Sequence, residues 1–168
     1  FASNLITGGL ASFSMHTGFL GVAVIAAIWQ FLVMTGMHIP VITAFMVDYL
    51  EKGYLTGAIL GGACSVWACW GVALGAFLRL KNKEEKATAG GFFISGVVGG
   101  ITEPCLYGLC FEHRRCFLGL VLGGFAGGGY LGFTHVCKYV STPSNFLNLL
   151  GYVGGTTANM VNGILTLV

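Results

Sequence analysis

Charge is what this 168-residue chain has least of: eight Lys/Arg and six Asp/Glu, 8% of its residues, against about 25% in a soluble globular domain. That scarcity excludes an ordinary solvated surface. Most of the basic residues fall in two short clusters, with no basic stripe interleaved with aromatics, so nothing points to nucleic acid. The glycine-rich stretches are followed by no Gly-Lys-Ser/Thr, which sets aside a phosphate-cradling loop. Cysteines are present, six of them, but without zinc-site spacing. Cys64 and Cys69, and Cys105 and Cys110, lie outside the gap of about two to four residues that structural zinc sites use, and no His pair stands at ligand spacing. No metal and no cofactor are expected, and the thiols read as apolar membrane cysteines. The start, Phe1, has no methionine, no basic n-region and no small-residue cleavage site, so the chain is expected to be a piece of a longer protein.

What is abundant is apolar: 55% hydrophobic residues, a mean hydropathy of +0.83 and 28 glycines. This composition predicts an all-α integral membrane protein of multi-pass helices, with no soluble domain. At roughly 20 residues per spanning helix, the chain has room for about five or six membrane segments. Gly18 to Met37 is an apolar run broken only by Gln30, ending in "GMHIP", where Pro40 removes a backbone donor and places His38 at a helix end or on a broken helix. "VDYLEKG", Val47 to Gly53, reads as a polar surface loop. Tyr54 to Leu78 reads as a long spanning helix, with Gly57/Gly61 and Gly71/Gly75 at the small-xxx-small spacing of close helix packing. "RLKNKEEK" (Arg79 to Lys86) and "EHRR" (Glu112 to Arg115) are both net basic and are assigned to the cytoplasmic side. Cys116 to Phe133 is a further segment with glycines at the same spacing, Lys138 to Asn145 a polar loop, and Phe146 to Val168 the last apolar segment.

The stretch between the basic clusters carries the functional question. In "GGITEPCLYG" Glu103 stands amid apolar residues and glycines, and a carboxylate in hydrocarbon is costly unless paired or facing a polar cavity. Gly90 to Phe111 enters and leaves by one face and is broken at Gly99, Gly100 and Pro104. It is therefore predicted to be a re-entrant hairpin with Glu103 near its tip, a place where irregular backbone is tolerated only inside protein or along a cavity. Carriers use such half-helix ends, together with a carboxylate, to hold a polar substrate.

Three stretches in register, "WQFLVMTGMH" (Trp29 to His38), "RLKNKEEKATAGGFFISGVVGGITEP" (Arg79 to Pro104) and "LYGLCFEHRRCFLGLVLGGFAGG" from Leu106, make the chain resemble enzyme IIC. Enzyme IIC is the membrane permease subunit of the bacterial phosphoenolpyruvate-dependent sugar phosphotransferase system. The likeness is to its glucose superfamily, in the β-glucoside, sucrose and trehalose branch, over roughly residues 18 to 155. The resemblance implies that residues 1–168 are the C-terminal, substrate-binding part of an elevator-type carrier. It also implies a homodimer in the bacterial inner membrane, transporting a β-glucoside or disaccharide as a cytoplasmic IIB domain phosphorylates it. The phosphorylated cysteine of the system then belongs to IIB and not to this chain. The family's sugar ligands map onto Glu103 and His38; Thr102 and Tyr107 flank the carboxylate and could add hydroxyl contacts, and Trp29 or Tyr107 could stack on a sugar face. After His38 the sequence departs from the family, "HIPVITAFM" replacing the usual His-Trp or His-His.

Each residue also has a plainer reading. Glu103 could cap the hairpin or complete a buried ion pair, His38 could be a satisfied membrane histidine, and Thr102 and Tyr107 could simply pack. Arg114 and Arg115 could anchor the topology or help dock IIB; His16, His113 and His135 have no functional support. The competing function is a secondary carrier or channel with Glu103 as a proton or cation site.

Overall fold

A computed structural model describes residues 8–9, 12–13 and 16–168, and the side chain of residue 48 is not described. The first seven residues of the expected 1–168 unit therefore lie outside the described residues. Helices account for nearly all regular structure, in the order α1 (Phe19–Met34), α2 (His38–Lys52), α3 (Ala58–Arg79), α4 (Lys83–Ile94), α5 (Arg115–Thr134) and α6 (Thr157–Leu167). Widened, π-helical turns at Ser95–Gly99 and Cys105–Cys110 flank the break after α4, and a 3-10 segment covers Phe146–Tyr152. The one β-type pairing among the described residues is an isolated bridge between Leu55 and Lys138.

Glycine governs how the long helices meet. α1 and α5 form the most extensive helix pair, and their approach is backbone to backbone. A Cβ on Gly124 would stand 2.7 Å from the Ala26 carbonyl oxygen, one on Gly128 3.0 Å from that of Val22, and one on Gly132 2.6 Å from the Cα of Phe19. Gly127 fits in the same way against Cys64 of α3 and the Thr166 carbonyl of α6. The expected small-residue packing of Cys116 to Phe133 is thus present. It fails for Gly71/Gly75, beside which a Cβ would meet nothing, while Gly57 is the left-handed residue that starts α3 and only Gly61 touches α1.

Several sequence boundaries are corrected. The polar loop expected at Val47 to Gly53 is helical to Lys52: α2 simply runs its last turn through polar residues and stops at left-handed Gly53. The helix expected from Tyr54 starts at Ala58, because Gly57 has a φ of 69° that no helix accommodates. The last apolar segment is two pieces, since Gly154, with φ 132°, and Gly155 interrupt it before Thr156 caps α6. Of the five or six expected spans, two helices among the described residues, α3 with 22 residues and α5 with 20, are long and apolar enough to cross a membrane. α1, at 16 residues, is apolar but shorter. Along α5, Leu118, Leu122, Phe125 and Phe133 are exposed, an apolar stripe suited to lipid rather than water.

The stretch from Lys83 to Cys110 folds as two arms around a break. Asn82 caps α4 by accepting from the Glu84 N–H at 3.0 Å, and the chain breaks at Gly100, whose φ is 73°. The returning arm brings His113 back to Glu85, with 3.4 Å between Nε2 and Oε2. Between those ends the arms touch, Phe92 lying where Gly108 has no side chain. The break is closed from outside: Gly100 sits against the Ser144 backbone, and the Asn145 side-chain amide donates to the Val98 carbonyl at 3.3 Å, satisfying one acceptor that the interrupted helix leaves open.

Candidate functional site

Glu103 begins the returning arm of the hairpin, where a carboxylate is favoured by the free N–H groups of a helix start. Its Oε2 accepts the Thr102 N–H at 3.1 Å. No basic side chain among the described residues lies within ion-pair distance of it. The arm is held against α3 by two weak thiol contacts: Cys69 Sγ donates to the Thr102 carbonyl at 4.0 Å and Cys105 Sγ to the Cys69 carbonyl at 3.7 Å. All six cysteines are unpaired thiols, and four are buried.

His38 reaches the same region from the opposite part of the sequence. Gly36, with φ 73°, turns the chain between α1 and α2, and His38 is the first residue of α2, with Pro40 in the first turn, where its missing N–H leaves no bond unmade. Its Nδ1 is buried without a hydrogen-bond partner.

A cavity of about 210 Å3 joins these pieces, lined among others by Trp29, His38, Thr102 and Glu103. Trp29 is buried, its ring packed against Gly62, where a Cβ would stand 2.5 Å away. Tyr107 does not line this cavity. Its hydroxyl donates to the Met34 carbonyl at 2.9 Å, its ring stacks on Phe111 at 5.9 Å, and it is exposed. The expected hydroxyl or stacking contact from Tyr107 is therefore replaced by a cap on the end of α1.

Further polar lining comes from the chain after α5, the loop that looked like an ordinary polar connection and the 3-10 segment that follows it. Lys138, Thr142 and Asn148 line the cavity, and Lys138 and Asn148 are buried. The sequence signal was faint: one of two lysines, with Lys52, outside the basic clusters. A second cavity, of about 270 Å3, lies at the base of the hairpin between Glu84, Glu85, Glu112 and His113; its three neighbouring carboxylates offer acceptors only. Among the described residues no group of three His, Cys, Asp or Glu side chains is placed to hold a metal ion.

Helices with lipid-suited faces, and a broken hairpin bringing a carboxylate to a small cavity, fit an all-helical membrane domain. The chain belongs to the EIIC family of the phosphotransferase system: the family model "Phosphotransferase system, EIIC" matches residues 1–124. The β-glucoside-specific EIIBCA component of Dickeya chrysanthemi is 31% identical over 143 residues, 82% of this chain and 21% of that protein. The glucose-specific EIIBCA component of Corynebacterium glutamicum is 29% identical over 174 residues, 96% of this chain and 25% of that protein. The sucrose-specific EIIBC component of Bacillus subtilis (strain 168) is 27% identical over 178 residues, 95% and 37%. The chain thus spans well under half the length of these relatives. No solved structure matches it.

Proposed function

We propose that this chain is the substrate-binding part of a phosphotransferase-system sugar permease. It binds a sugar in the Glu103 cavity and moves it across the bacterial inner membrane as a cytoplasmic IIB domain phosphorylates it. The functional unit is a homodimer of elevator type, and the phosphoryl donor residue lies in IIB. Glu103 accepts sugar hydroxyls, His38 offers an imidazole nitrogen, and Thr102 shapes the turn that aims the carboxylate. The relatives' names, specific for β-glucosides, sucrose and glucose, support a sugar of that kind.

One observation carries the reading: two polar residues far apart in sequence, Glu103 and His38, line one cavity, the carboxylate without a basic partner within ion-pair distance and the imidazole Nδ1 without any hydrogen-bond partner. Hydrogen bonds to a charged group contribute about 1.5 to 3 kcal/mol. Glu103→Gln is therefore expected to weaken sugar binding at least about tenfold, equivalent to about 1.4 kcal/mol, measured with labelled methyl β-glucoside, glucose and sucrose on the purified full-length protein. Wild-type affinity in that variant would remove Glu103 from the site. Uptake into vesicles that follows an ion gradient without phosphorylation would replace the permease reading with that of a secondary carrier.

A further inference from the structure

The cavity has a polar wall that the reading above does not use. Lys138 is the only buried lysine or arginine among the described residues, 4% exposed, and its position is built from several directions. Its backbone pairs with Leu55 in both senses, at 2.8 and 2.9 Å, and the next two N–H groups donate to the Gly151 carbonyl at 2.9 and 3.2 Å. The preceding residue, Cys137, is bracketed by the Asn159 side-chain amide, with two bonds of 2.8 Å. The lysine stem then passes over Gly151, where any Cβ would collide with Lys138 Cε. At the end of that path the ammonium, with three donors, makes one bond, to the Thr142 carbonyl at 3.4 Å. It lines the same cavity as Glu103, yet the two do not approach within ion-pair distance. Thr142 Oγ1 and Asn148 Oδ1, on the same cavity, are buried without partners. Buried charges and polar atoms left in this state are unfavourable until something completes their bonds.

We propose that Lys138 is a substrate-contacting, specificity-determining residue, and that an uncharged sugar ring bridges Glu103 and Lys138, donating hydroxyls to the carboxylate and accepting from the ammonium. The inference rests on the cavity being the sugar site. Three features select this ligand class. One carboxylate and one ammonium leave their contributions to the lining balanced, so a neutral ligand adds no unmatched charge. A hydroxyl both donates and accepts, so neighbouring hydroxyls on one ring can serve both groups. The volume, about 210 Å3, is below the roughly 300 Å3 at which pockets for drug-sized ligands begin, which favours a single ring. Burial pushes the Lys138 ammonium down to about 8, which keeps it mostly protonated at neutral pH.

The test uses purified full-length protein and equilibrium binding of whichever of methyl β-glucoside, glucose and sucrose binds wild type most tightly, with methyl β-glucuronide as an anionic competitor. Lys138→Met is expected to weaken binding at least tenfold. The Glu103→Gln/Lys138→Met double variant should lose less than the product of the two single losses, because it leaves neither charge alone in the cavity. Methyl β-glucuronide should compete at least tenfold more weakly than methyl β-glucoside; stronger competition overturns the uncharged class. Lys138→Met within twofold of wild type, with Glu103→Gln impaired, overturns the inference and leaves the sugar site standing. Failure of all three sugars to bind wild type overturns both. If Lys138→Met is not monodisperse, Lys138→Gln decides, since it keeps a polar side chain of similar reach without the charge: threefold weaker binding supports the proposal and unchanged binding overturns it.

Discussion

At the scale of single residues, a hydroxyl and an ammonium illustrate how position decides role. Tyr107 stands four residues from Glu103, yet its hydroxyl is engaged on the Met34 carbonyl at the end of α1. Tyr107→Phe is expected to lower stability by about 1 kcal/mol and leave sugar affinity unchanged, whereas Glu103→Gln does the reverse; thermal unfolding and binding on the same preparations separate the two. Lys138 titrates in the opposite sense from a stabilising ion pair. Burial lowers its pKa from 10.5 to about 8, so between those values the unfolded chain holds a proton that the folded chain has released. Stability then rises with pH across that window, while sugar binding through the proposed ammonium contact is expected to weaken as pH passes about 8. Opposite slopes in melting temperature and affinity, both absent in Lys138→Met, are the expected signature. Parallel slopes would contradict it.

At the scale of elements, the glycines divide into those that hold helices together and those that do not. Gly128→Ala drives a methyl towards the Val22 carbonyl and the Ala26 side chain, and overpacking of this kind costs about 1–3 kcal/mol. Gly71→Ala adds a methyl to open space and removes the entropy penalty of a helical glycine, a gain of about 0.5–1 kcal/mol. Melting temperatures of the two variants should therefore move in opposite directions. The spacing of the glycines was legible in the sequence for both; which face meets a partner was not, because a small-xxx-small pattern states that a helix can be approached closely and not which helix approaches it. The hairpin was legible for a stronger reason. Gly100 and Pro104 disfavour a continuous helix locally, and Glu103 needs a polar surrounding wherever the fold puts it. The same local logic misled at Val47 to Gly53, where charged residues end a helix rather than form a loop, and it was silent on Lys138. That lysine looks like any loop cation until Leu55, Gly151 and Asn159, all remote in sequence, fix its backbone beside the cavity.

At the scale of the whole molecule, the charges are sorted to one end. Arg79 closes α3, Lys81, Lys83 and Lys86 lie on the turn into α4 and its first turn, and Arg114 and Arg115 open α5, so six of the eight Lys/Arg gather where the hairpin starts and returns. The 3.4 Å approach of His113 to Glu85 ties that base together. The cavity lies away from it, along the first turns of α3 between Ile59 and Val66; from Val66 to Arg79 the helix rises a further ~20 Å at 1.5 Å per residue. By the positive-inside tendency the basic end is expected in the cytoplasm, and the hairpin is then expected to enter from that side, carry Glu103 inward and come back. Single cysteines at Lys83 and Arg115, in a variant whose six native thiols are replaced and which still binds sugar, are expected to react with a membrane-impermeant maleimide only from the cytoplasmic face. Both positions are exposed and belong to no apolar helix core, so the label reports sidedness rather than access to a packed interior. Labelling of the two from opposite faces would make the 90–111 stretch a crossing segment. The packed arms and the His113–Glu85 approach would then require a different membrane orientation for the whole hairpin, and the half-helix ends around Gly100 would no longer meet Glu103 from a single side.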